Sequence, residues 1–463
     1  MNTQEFVEKI KNNEIDIVEH IHKVISECKK INKEYNYFNT ISEDLAIEQA
    51  NEIKKQLKQN KNKLKNKRLL GVAVSAKDAI CVKGVESTAG SRILKGYKPV
   101  FDATVIRKAK EAGAIIIGKT SQDEFGFGSF SVNVGLDFKV PKNPFDKARS
   151  CGGSSGGAGG ITQKINFPHI ALGESTGGSI AAPSSFCGVF GLTPTYGLVS
   201  RYGLIDYGNS LDKIGTMGKT MEDASLLLDT ISGYDENDST SLNVKREKNN
   251  EVKKIGIIKT SGVDREIERS MMGAVSKLAA KDEEVTLESS KYGLAAYYLI
   301  CTSEASTNLA KYCGMRYGAS EKLKGNFNEY FTDVRSSNLG EEAKRRIILG
   351  TFARMSGYRD AYYLKALKVR SKIIQEYKKL FRKYDVLISP TCPILPPKFF
   401  DIEKLTPLQH YQMDSLVVGP NLAGLPHLNI PVRRVSNLPV GMLVIADHLQ
   451  EDKLIQIGKD VQK

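Results

Sequence analysis

The chain of 463 residues has no tryptophan and only six histidines, and none of its apolar runs is long enough to span a membrane. Its seven cysteines are scattered and form no CxxC pair, so the sequence predicts neither a disulfide framework nor a zinc site. The N-terminal stretch MNTQEFVEKIKNNEID is charged and predicts a helix, not a signal peptide. We therefore expect a cytoplasmic protein that has no membrane contact and binds no metal.

Charge alone does not identify a partner. The excess of basic over acidic residues is 67 − 53 = +14, which could attract RNA. Lysine is abundant along the whole chain, and no arginine-rich patch is interleaved with aromatic residues. Direct contact with tRNA, and the hypothesis of a basic RNA-binding protein whose serine clusters are only turns, both stay open on composition.

The order of the predicted elements favours an α/β fold with a central mixed β-sheet flanked by helices on both faces. Apolar residues at helical spacing predict helices over 3–60, and Asp102 is expected to cap a helix through ATVIRKAKEA. We expect a single domain over 1–463. Its predicted parts are an N-terminal helical segment (1–65) that ends in a charged run (54–68), a core (71–232), a polar surface connection (233–252) and a C-terminal half (253–463). Strands are predicted at GVAVSAKD, AIIIG, HIALGES, KIGIIK, DVLISP, HLNIPV and PVGMLVIA, the chain from 291 to 381 is expected to be mainly helical, and a last helix is expected near 451–462.

Two Gly/Ser clusters stand out, SCGGSSGGAGG (150–160) and GESTGGSIAAP (173–183). Phosphate binding is disfavoured because neither cluster ends in GK[ST] or fits GxGxxG. Residues 152–156 match G-x-S-x-G, but a nucleophile elbow needs a downstream acid and histidine. His410 and His427 have the right order, yet nothing around them marks a catalytic base.

A third interpretation needs no histidine. A serine hydroxyl can be activated by a neutral lysine, provided that burial disfavours the ammonium form. Lys77 ends the predicted strand GVAVSAK among small apolar residues, although a lysine at a strand end more often points into water.

The two clusters and the upstream Lys-Asp pair resemble the amidase signature family. Family members have a serine in each cluster, 24 residues apart, and Ser155 and Ser179 satisfy this because 179 − 155 = 24. The resemblance implies that Ser179 is the acyl-enzyme nucleophile, that Lys77 is the base, and that Ser155 bridges them after a cis peptide bond from Ser154. It also implies an oxyanion hole formed by the backbone N–H groups of Thr176, Gly177 and Gly178.

Further segments resemble the A subunits of the Glu-tRNA(Gln) amidotransferases within that family. These are DEFGFGS (123–129), TNLAKYCGMRYG (307–318), GEEAKRRIILGTFARMSGYRDAYYLKALKVR (340–370), DVLISPTCP (385–393) and DSLVVGPNLAGLPHLNIPV (414–432). The resemblance implies that glutamine is the amide donor, with Arg370 on its α-carboxylate and Asp414 on its α-ammonium. Ser129 and Tyr317 are implied to line the same pocket.

The implied activity is hydrolysis of glutamine, with ammonia passed to a partner B subunit that converts Glu-tRNA(Gln) to Gln-tRNA(Gln), or also Asp-tRNA(Asn) to Asn-tRNA(Asn). ATP and Mg²⁺ would bind in that partner, tRNA would be contacted mainly through it, and a small C subunit would complete a heterotrimer. The alternative is a free-standing amidase of the same family that acts on a small amide.

The second cluster departs from the family's bacterial pattern GSDTGGSIRQPA. Glu174, Ser175 and Ala181 stand where Ser, Asp and Arg are usual, while TGGS is intact. The usual support of the loop around Ser179 is therefore absent from the sequence.

Overall fold

The computed structural model describes residues 2–59, 64–244, 246 and 248–463. Residues 60–63 of the predicted charged run, and residues 245 and 247 of the predicted connection, lie outside this part. The helices are α1 (Thr3–Lys11), α2 (Ile17–Tyr35), α3 (Glu43–Gln59), α4 (Thr104–Glu111), α5 (Gly156–Lys164), α6 (Ala181–Cys187), α7 (Met221–Ile231), α8 (Arg265–Val275), α9 (Ser290–Asn308), α10 (Phe327–Asn338), α11 (Glu341–Arg354), α12 (Lys365–Phe381), α13 (Phe399–Ile402), α14 (Pro407–Gln412), α15 (Val418–Leu422) and α16 (Glu451–Gln462).

The strands form one mixed sheet. They are β1 (Phe38–Ile41), β2 (Ala73–Lys77), β3 (Ile115–Thr120), β4 (His169–Ser175), β5 (Phe190–Thr193), β6 (Lys213–Gly218), β7 (Lys254–Ile258), β8 (Lys281–Val285), β9 (Val386–Pro390), β10 (His427–Val435) and β11 (Leu438–Ala446). Their order is β1-β3-β2-β4-β6-β5-β10-β11-β9-β7-β8. Strand β2 runs parallel to both β3 and β4, whereas β4 and β6 are antiparallel. The predicted mixed sheet is therefore confirmed.

Two apolar cores lie on opposite faces of the sheet. Along β11, Met442 and Val444 join one core, and Leu443 and Ile445 join the other. Successive side chains of a strand point to opposite faces, so the alternation separates the two cores. Helices α2, α3, α7 and α16 supply side chains to the first core, and α9 and α12 supply side chains to the second.

Three local predictions need correction. The N-terminal region 3–60 is not continuously helical, because strand β1 interrupts it and pairs with β3. Asp102 does not cap α4; it accepts hydrogen bonds from Lys83 N and Lys110 Nζ instead. Helix α5 forms inside the Gly/Ser-rich region and packs against β2 and β4.

The parallel pairing of β2 with β4 determines where the Gly/Ser clusters meet. Lys77 is the last residue of β2, and Glu174 and Ser175 end β4. Because the carboxyl ends of neighbouring parallel strands lie at the same edge, these residues are brought together.

Candidate active site

Lys77 is completely buried and points toward the first Gly/Ser cluster. Its Nζ lies 2.7 Å from Ser154 Oγ, 3.0 Å from the Glu174 backbone oxygen and 2.7 Å from Glu174 Oε2. The lysine thus contacts a serine hydroxyl and a carboxylate, and does not reach water as an ordinary strand-end lysine would.

The prediction for Ser155 is wrong in two respects. The cis peptide bond joins Gly153 to Ser154, not Ser154 to Ser155, and the hydroxyl that contacts Lys77 belongs to Ser154. Ser155 donates its Oγ–H to the Glu174 backbone oxygen at 3.2 Å. Ser154 precedes Ser179 by 179 − 154 = 25 residues, so the 24-residue spacing of the family pattern selected its neighbour Ser155 instead.

The nucleophile candidate lies in the turn between β4 and α6. Ser179 is 6% exposed, and its backbone oxygen accepts a hydrogen bond from Ser155 N at 3.3 Å, which links the two clusters. Within the described part of the chain, the backbone N–H groups of residues 176–180 donate to no other group. Unpaired N–H groups beside a serine hydroxyl are what an oxyanion site requires.

Close packing explains the two glycines of this turn. A Cβ at Gly177 would lie 2.8 Å from Tyr297 Oη, and one at Gly178 would lie 2.3 Å from Val417 Cγ2. Any larger residue would displace the turn from the helices that cover it.

Two buried carboxyl groups lie directly behind the turn. Thr176 Oγ1 is 2.9 Å from Glu174 Oε1 and 2.7 Å from Asp212 Oδ1. Burial raises the pKa of Asp212 well above its usual range, and the charge of Glu174 raises it further. The residue that departs from the family pattern, Glu174, is thus the carboxylate paired with Lys77.

The turn is supported without the usual Asp and Arg. Asn421 Nδ2 donates to Ser175 Oγ at 3.0 Å and also contacts the Gly177 backbone oxygen. Ala181, where Arg is usual, is fully buried in the apolar core on the α9 side. The asparagine therefore connects this turn to α15.

Asp414 lies beside the nucleophile turn. Its Oδ2 accepts hydrogen bonds from Ser129 Oγ at 2.8 Å and from Tyr298 Oη at 2.7 Å. A Cβ at Gly178 would lie 3.5 Å from Asp414 Oδ1. Burial raises the pKa of Asp414, and the hydrogen bonds from Tyr298 and Ser129 act in the opposite direction.

Arg370 is half-buried, and three of its N–H groups form hydrogen bonds within the protein. Its Nε donates to the Leu422 backbone oxygen at 2.7 Å, and its two terminal nitrogens donate to Ser210 Oγ at 2.9 Å and Ser210 O at 2.8 Å. A guanidinium has five N–H donors, so two remain for a ligand. Burial lowers the pKa of Arg370.

Tyr317 lies elsewhere in the aromatic packing. Its ring packs edge-on against Tyr97 and Tyr312, with centroids 5.6 Å and 5.9 Å away. Tyr312 in turn stacks on Phe125 at 5.5 Å. Its ring contacts thus link Tyr317 to this aromatic layer, and not to Lys77, Ser154 or Ser179.

Arg346 is a buried residue of the site that the sequence did not single out. It is 2% exposed, pairs with Glu342 at 2.8 Å and donates to Tyr207 Oη at 2.6 Å. Its guanidinium also lies 5.2 Å from the ring centres of Tyr298 and Tyr411. Only its place inside the block 340–370 could have suggested it.

A cleft opens next to these residues. Its volume is about 370 Å³, and Ser129, Glu342, Arg346 and Tyr411 are among the residues that line it. Ser129, which lines the cleft, donates to Asp414 Oδ2. In the part of the chain that the structure describes, no set of three or more His, Cys, Asp or Glu side chains is grouped to hold a metal.

Comparison with known proteins agrees with this geometry. A family model described as Amidase matches residues 19–455. The chain belongs to the amidase family. It is therefore an enzyme of that family.

Within the amidases, the chain is similar to A subunits of glutamyl-tRNA(Gln) amidotransferases. The chain is 44% identical over 428 residues to the A subunit of the glutamyl-tRNA(Gln) amidotransferase of Archaeoglobus fulgidus, covering 92% of this chain and 91% of the relative. It is 40% identical over 469 residues to the A subunit from Saccharolobus solfataricus, covering 99% and 96%. A crystal structure of the A subunit from Thermotoga maritima matches with a TM-score of 0.77 and 34% identity, covering 96% of this chain and 92% of that one.

Among the described residues, no helix combines the length and the apolar character needed to cross a membrane.

Proposed function

We propose that this amidase is the glutamine-hydrolysing component of a tRNA-dependent amidotransferase. The observation that carries the proposal is the serine–lysine arrangement, in which buried Lys77 touches Ser154 and the turn of Ser179 presents free N–H groups. Relatives named as amidotransferase A subunits match over more than nine-tenths of the chain, which supports glutamine as the amide donor.

In the proposed reaction, Ser179 Oγ attacks the side-chain amide carbon of glutamine. Its proton passes through Ser154 Oγ to the neutral amine of Lys77, and the N–H groups of Thr176, Gly177 and Gly178 stabilise the oxyanion. The proton then returns to the leaving nitrogen, which departs as ammonia. Water hydrolyses the γ-glutamyl ester by the reverse proton path and releases glutamate. Ser154 takes the bridging role first expected of Ser155.

Two charged groups are proposed to hold the backbone of the glutamine. The α-ammonium would lie on Asp414, whose raised pKa falls when a cation binds. The α-carboxylate would take the two unused N–H groups of Arg370. Ser129 fixes the orientation of Asp414, whereas Tyr317 is retained only as a more distant part of the pocket wall.

The relatives' names support an assembly with other subunits. We propose that the chain is a single-domain member of a cytoplasmic heterotrimer, with the B and C subunits as partners. ATP and Mg²⁺ would bind in the B subunit, which would amidate Glu-tRNA(Gln), or also Asp-tRNA(Asn), and would make most of the tRNA contacts.

The test is glutaminase activity of the purified assembly and of its Ser179→Ala variant. We expect kcat to fall by at least about 10⁴-fold, since removing the nucleophile removes the covalent route. Ser225→Ala, on the partly exposed side of α7, is the matched control and should keep full activity. If the chain purified alone hydrolyses varied small amides as fast as it hydrolyses glutamine, the free-standing amidase is correct instead.

A further inference from the structure

The backbone carbonyl of Gly177, in the turn that holds Ser179, accepts hydrogen bonds from two side chains. One donor is Asn421 Nδ2, and the other is Ser175 Oγ at 3.3 Å. Asn421 Nδ2 also donates to Ser175 Oγ at 3.0 Å, so the three groups form a closed triangle. Because Asn421 is 1% exposed and Ser175 is fully buried, bulk water does not compete for these bonds.

The positions of the hydrogens in this triangle follow from its chemistry. The amide nitrogen of Asn421 carries two hydrogens, one for Gly177 O and one for Ser175 Oγ. The Ser175 hydroxyl accepts from Asn421 and donates its own hydrogen to Gly177 O. If the amide were turned over, its oxygen would face the oxygen of Gly177, so the nitrogen must lie on this side. An ionised aspartate, the usual residue of the family pattern at position 175, has no hydrogen to donate.

The peptide group that contains this carbonyl also contains a proposed oxyanion donor. Gly177 C=O and Gly178 N–H belong to one planar peptide group, and the bond that joins the two residues is trans. In a trans peptide group the C=O and N–H bonds point in opposite directions, so holding the carbonyl fixes the direction of the N–H. Hydrogen bonds to the carbonyl also polarise that N–H. Asn421 and Ser175 therefore control the direction of Gly178 N–H without touching the substrate.

We propose that Asn421 is a positioning residue of the oxyanion site, which acts together with Ser175 through the Gly177 carbonyl. When Ser179 attacks, negative charge develops on the amide oxygen of the substrate. An N–H group that already points at this oxygen stabilises the transition state more than the ground state. Without Asn421, the peptide group could rotate, because glycine permits a wide range of backbone angles. This inference rests on the proposed function.

The segment that carries Asn421 also contacts the groups proposed to bind glutamine. The backbone oxygen of Asp414 accepts from Val417 N at 3.0 Å, and the backbone oxygen of Leu422 accepts from Arg370 Nε at 2.7 Å. Both contacts use backbone atoms of the segment, so a change of the Asn421 side chain leaves them in place. Loss of this side chain should therefore impair the turn and spare the binding of glutamine.

The first experiment is steady-state hydrolysis of glutamine by the purified assembly and by its Asn421→Ala variant. We expect kcat to fall by about 10²-fold with KM nearly unchanged, because one oxyanion donor loses its alignment. Asn421→Leu fills the space of the asparagine without a donor, and its kcat should fall as far. If Asn421→Leu keeps the wild-type kcat, the asparagine only fills space and the proposal is overturned.

Asn338→Ala is the matched control for these variants. Asn338 is a buried asparagine of α10, and its Nδ2 donates to the Val334 backbone oxygen at 2.9 Å. The control thus removes a buried amide that donates to a backbone carbonyl outside the site. Its kcat should equal that of wild type.

The second experiment separates oxyanion positioning from a general disturbance of the site. In the boronic-acid analogue of glutamine, a B(OH)₂ group replaces the side-chain amide, and attack by Ser179 gives a tetrahedral boronate with an oxygen in the oxyanion position. Asn421→Ala should weaken inhibition by this analogue about 10²-fold, in parallel with kcat/KM. Binding of glutamine itself, titrated into assemblies that carry Ser179→Ala, should change less than about twofold. Equal losses of both affinities would overturn the proposal, since a general disturbance predicts them.

Ser175→Ala decides the matter if the Asn421 variants do not fold. It removes the second donor to Gly177 O and should lower kcat about tenfold, since Asn421 still holds the carbonyl. An unchanged kcat in this variant would overturn the proposal. If the wild-type assembly does not hydrolyse glutamine, the proposed function itself fails. If wild type and Asn421→Ala are equally active, only the role of Asn421 fails.

Discussion

The polar residues at the edge of the sheet and those on the covering helices differ in their hydrogen-bond partners. Lys77, Ser154 and Glu174 lie at strand ends or in tight turns and form their polar contacts with one another. Arg370 and Asp414 lie on α12 and just before α15, and Arg370 keeps two N–H groups unused. The polar atoms of the first group are thus paired within the group, whereas Arg370 in the second group keeps N–H groups available for a ligand.

Under the proposed function, this difference assigns proton transfer to the first group of residues and substrate recognition to the second. Proton transfer needs fixed distances, and a sheet edge provides them because its strands are held on both sides. Recognition of a charged substrate needs unmatched charge, which is tolerated only where solvent or ligand reaches it. Changes in the strand region should therefore affect kcat, and changes in the helical region should affect KM.

The largest effect is expected from the lysine. Lys77→Ala should lower kcat by at least about 10⁴-fold, since no other described base touches Ser154. Lys108→Met, which removes a half-buried lysine of α4, is the control and should change kcat little. Single-turnover hydrolysis of glutamine measures both. If Lys77→Ala changed only KM, the assignment of kcat effects to the strand region and KM effects to the helical region would be wrong.

The next largest effect distinguishes the two adjacent serines. Ser154→Ala should lower kcat by about 10³-fold because it interrupts proton transfer, whereas Ser155→Ala loses one hydrogen bond to Glu174 O and should cost about tenfold or less. Steady-state kinetics measures kcat of both variants, and Ser155→Ala is the control for Ser154→Ala. The reverse ranking would restore the role first expected of Ser155.

The contact between Glu124 and Gly340 should make the free energy of unfolding depend on pH. Glu124 accepts hydrogen bonds from Gly340 N at 2.9 Å and from Ser91, and burial raises its pKa to about 7. Because the folded pKa lies above the ordinary value of 4.5, the free energy of unfolding should fall as pH rises from about 4.5 to about 7. Glu124→Gln keeps both contacts but does not titrate. The free energy of unfolding of the variant, relative to that of wild type, should therefore rise by on the order of 3 kcal/mol between pH 5 and pH 8.

Chemical denaturation at both pH values measures that gain. Glu341→Gln, an exposed acid on α11, is the control and should show no such trend. A difference between Glu124→Gln and wild type that does not vary with pH would contradict the assignment.

The smallest effect is expected from substrate recognition. Arg370→Lys should raise KM for glutamine about tenfold with kcat nearly unchanged, since lysine keeps the charge but loses the paired donors. Isothermal titration of glutamine into the Ser179→Ala assembly measures binding without turnover. If affinity is unaffected, Arg370 is a structural residue that joins Ser210 to Leu422.

Sequence patterns predicted the regular parts of this molecule well. The strand HIALGES coincides with β4, and the last helix coincides with α16, because apolar periodicity there is unbroken. Helix α5 was missed because GGAGG has low helix propensity. Those glycines fit close contacts instead, since a Cβ at Gly160 would lie 2.1 Å from Tyr37 Cε1.

The site was predictable in its kinds of residue and less so in its details. The clusters and Lys77 could be recognised from order and spacing, but the spacing did not reveal that Lys77 contacts the hydroxyl of Ser154 and not that of Ser155. The proximity of Glu174 to Lys77 could not be read from the chain, since it depends on the register of β2 against β4. Arg346 and Asn421 join the site through long-range contacts that leave no local pattern.

The central claim is that Ser179 forms a covalent ester with the side-chain carbonyl of glutamine. Acid quenching of the assembly during steady-state turnover, followed by peptide mass spectrometry, tests it directly. The peptide that contains Ser179 should gain the mass of one glutamyl group, and this adduct should be absent from Ser179→Ala. An adduct on Ser154 or Ser155, or turnover with no adduct on any serine after rapid quenching, would contradict the account.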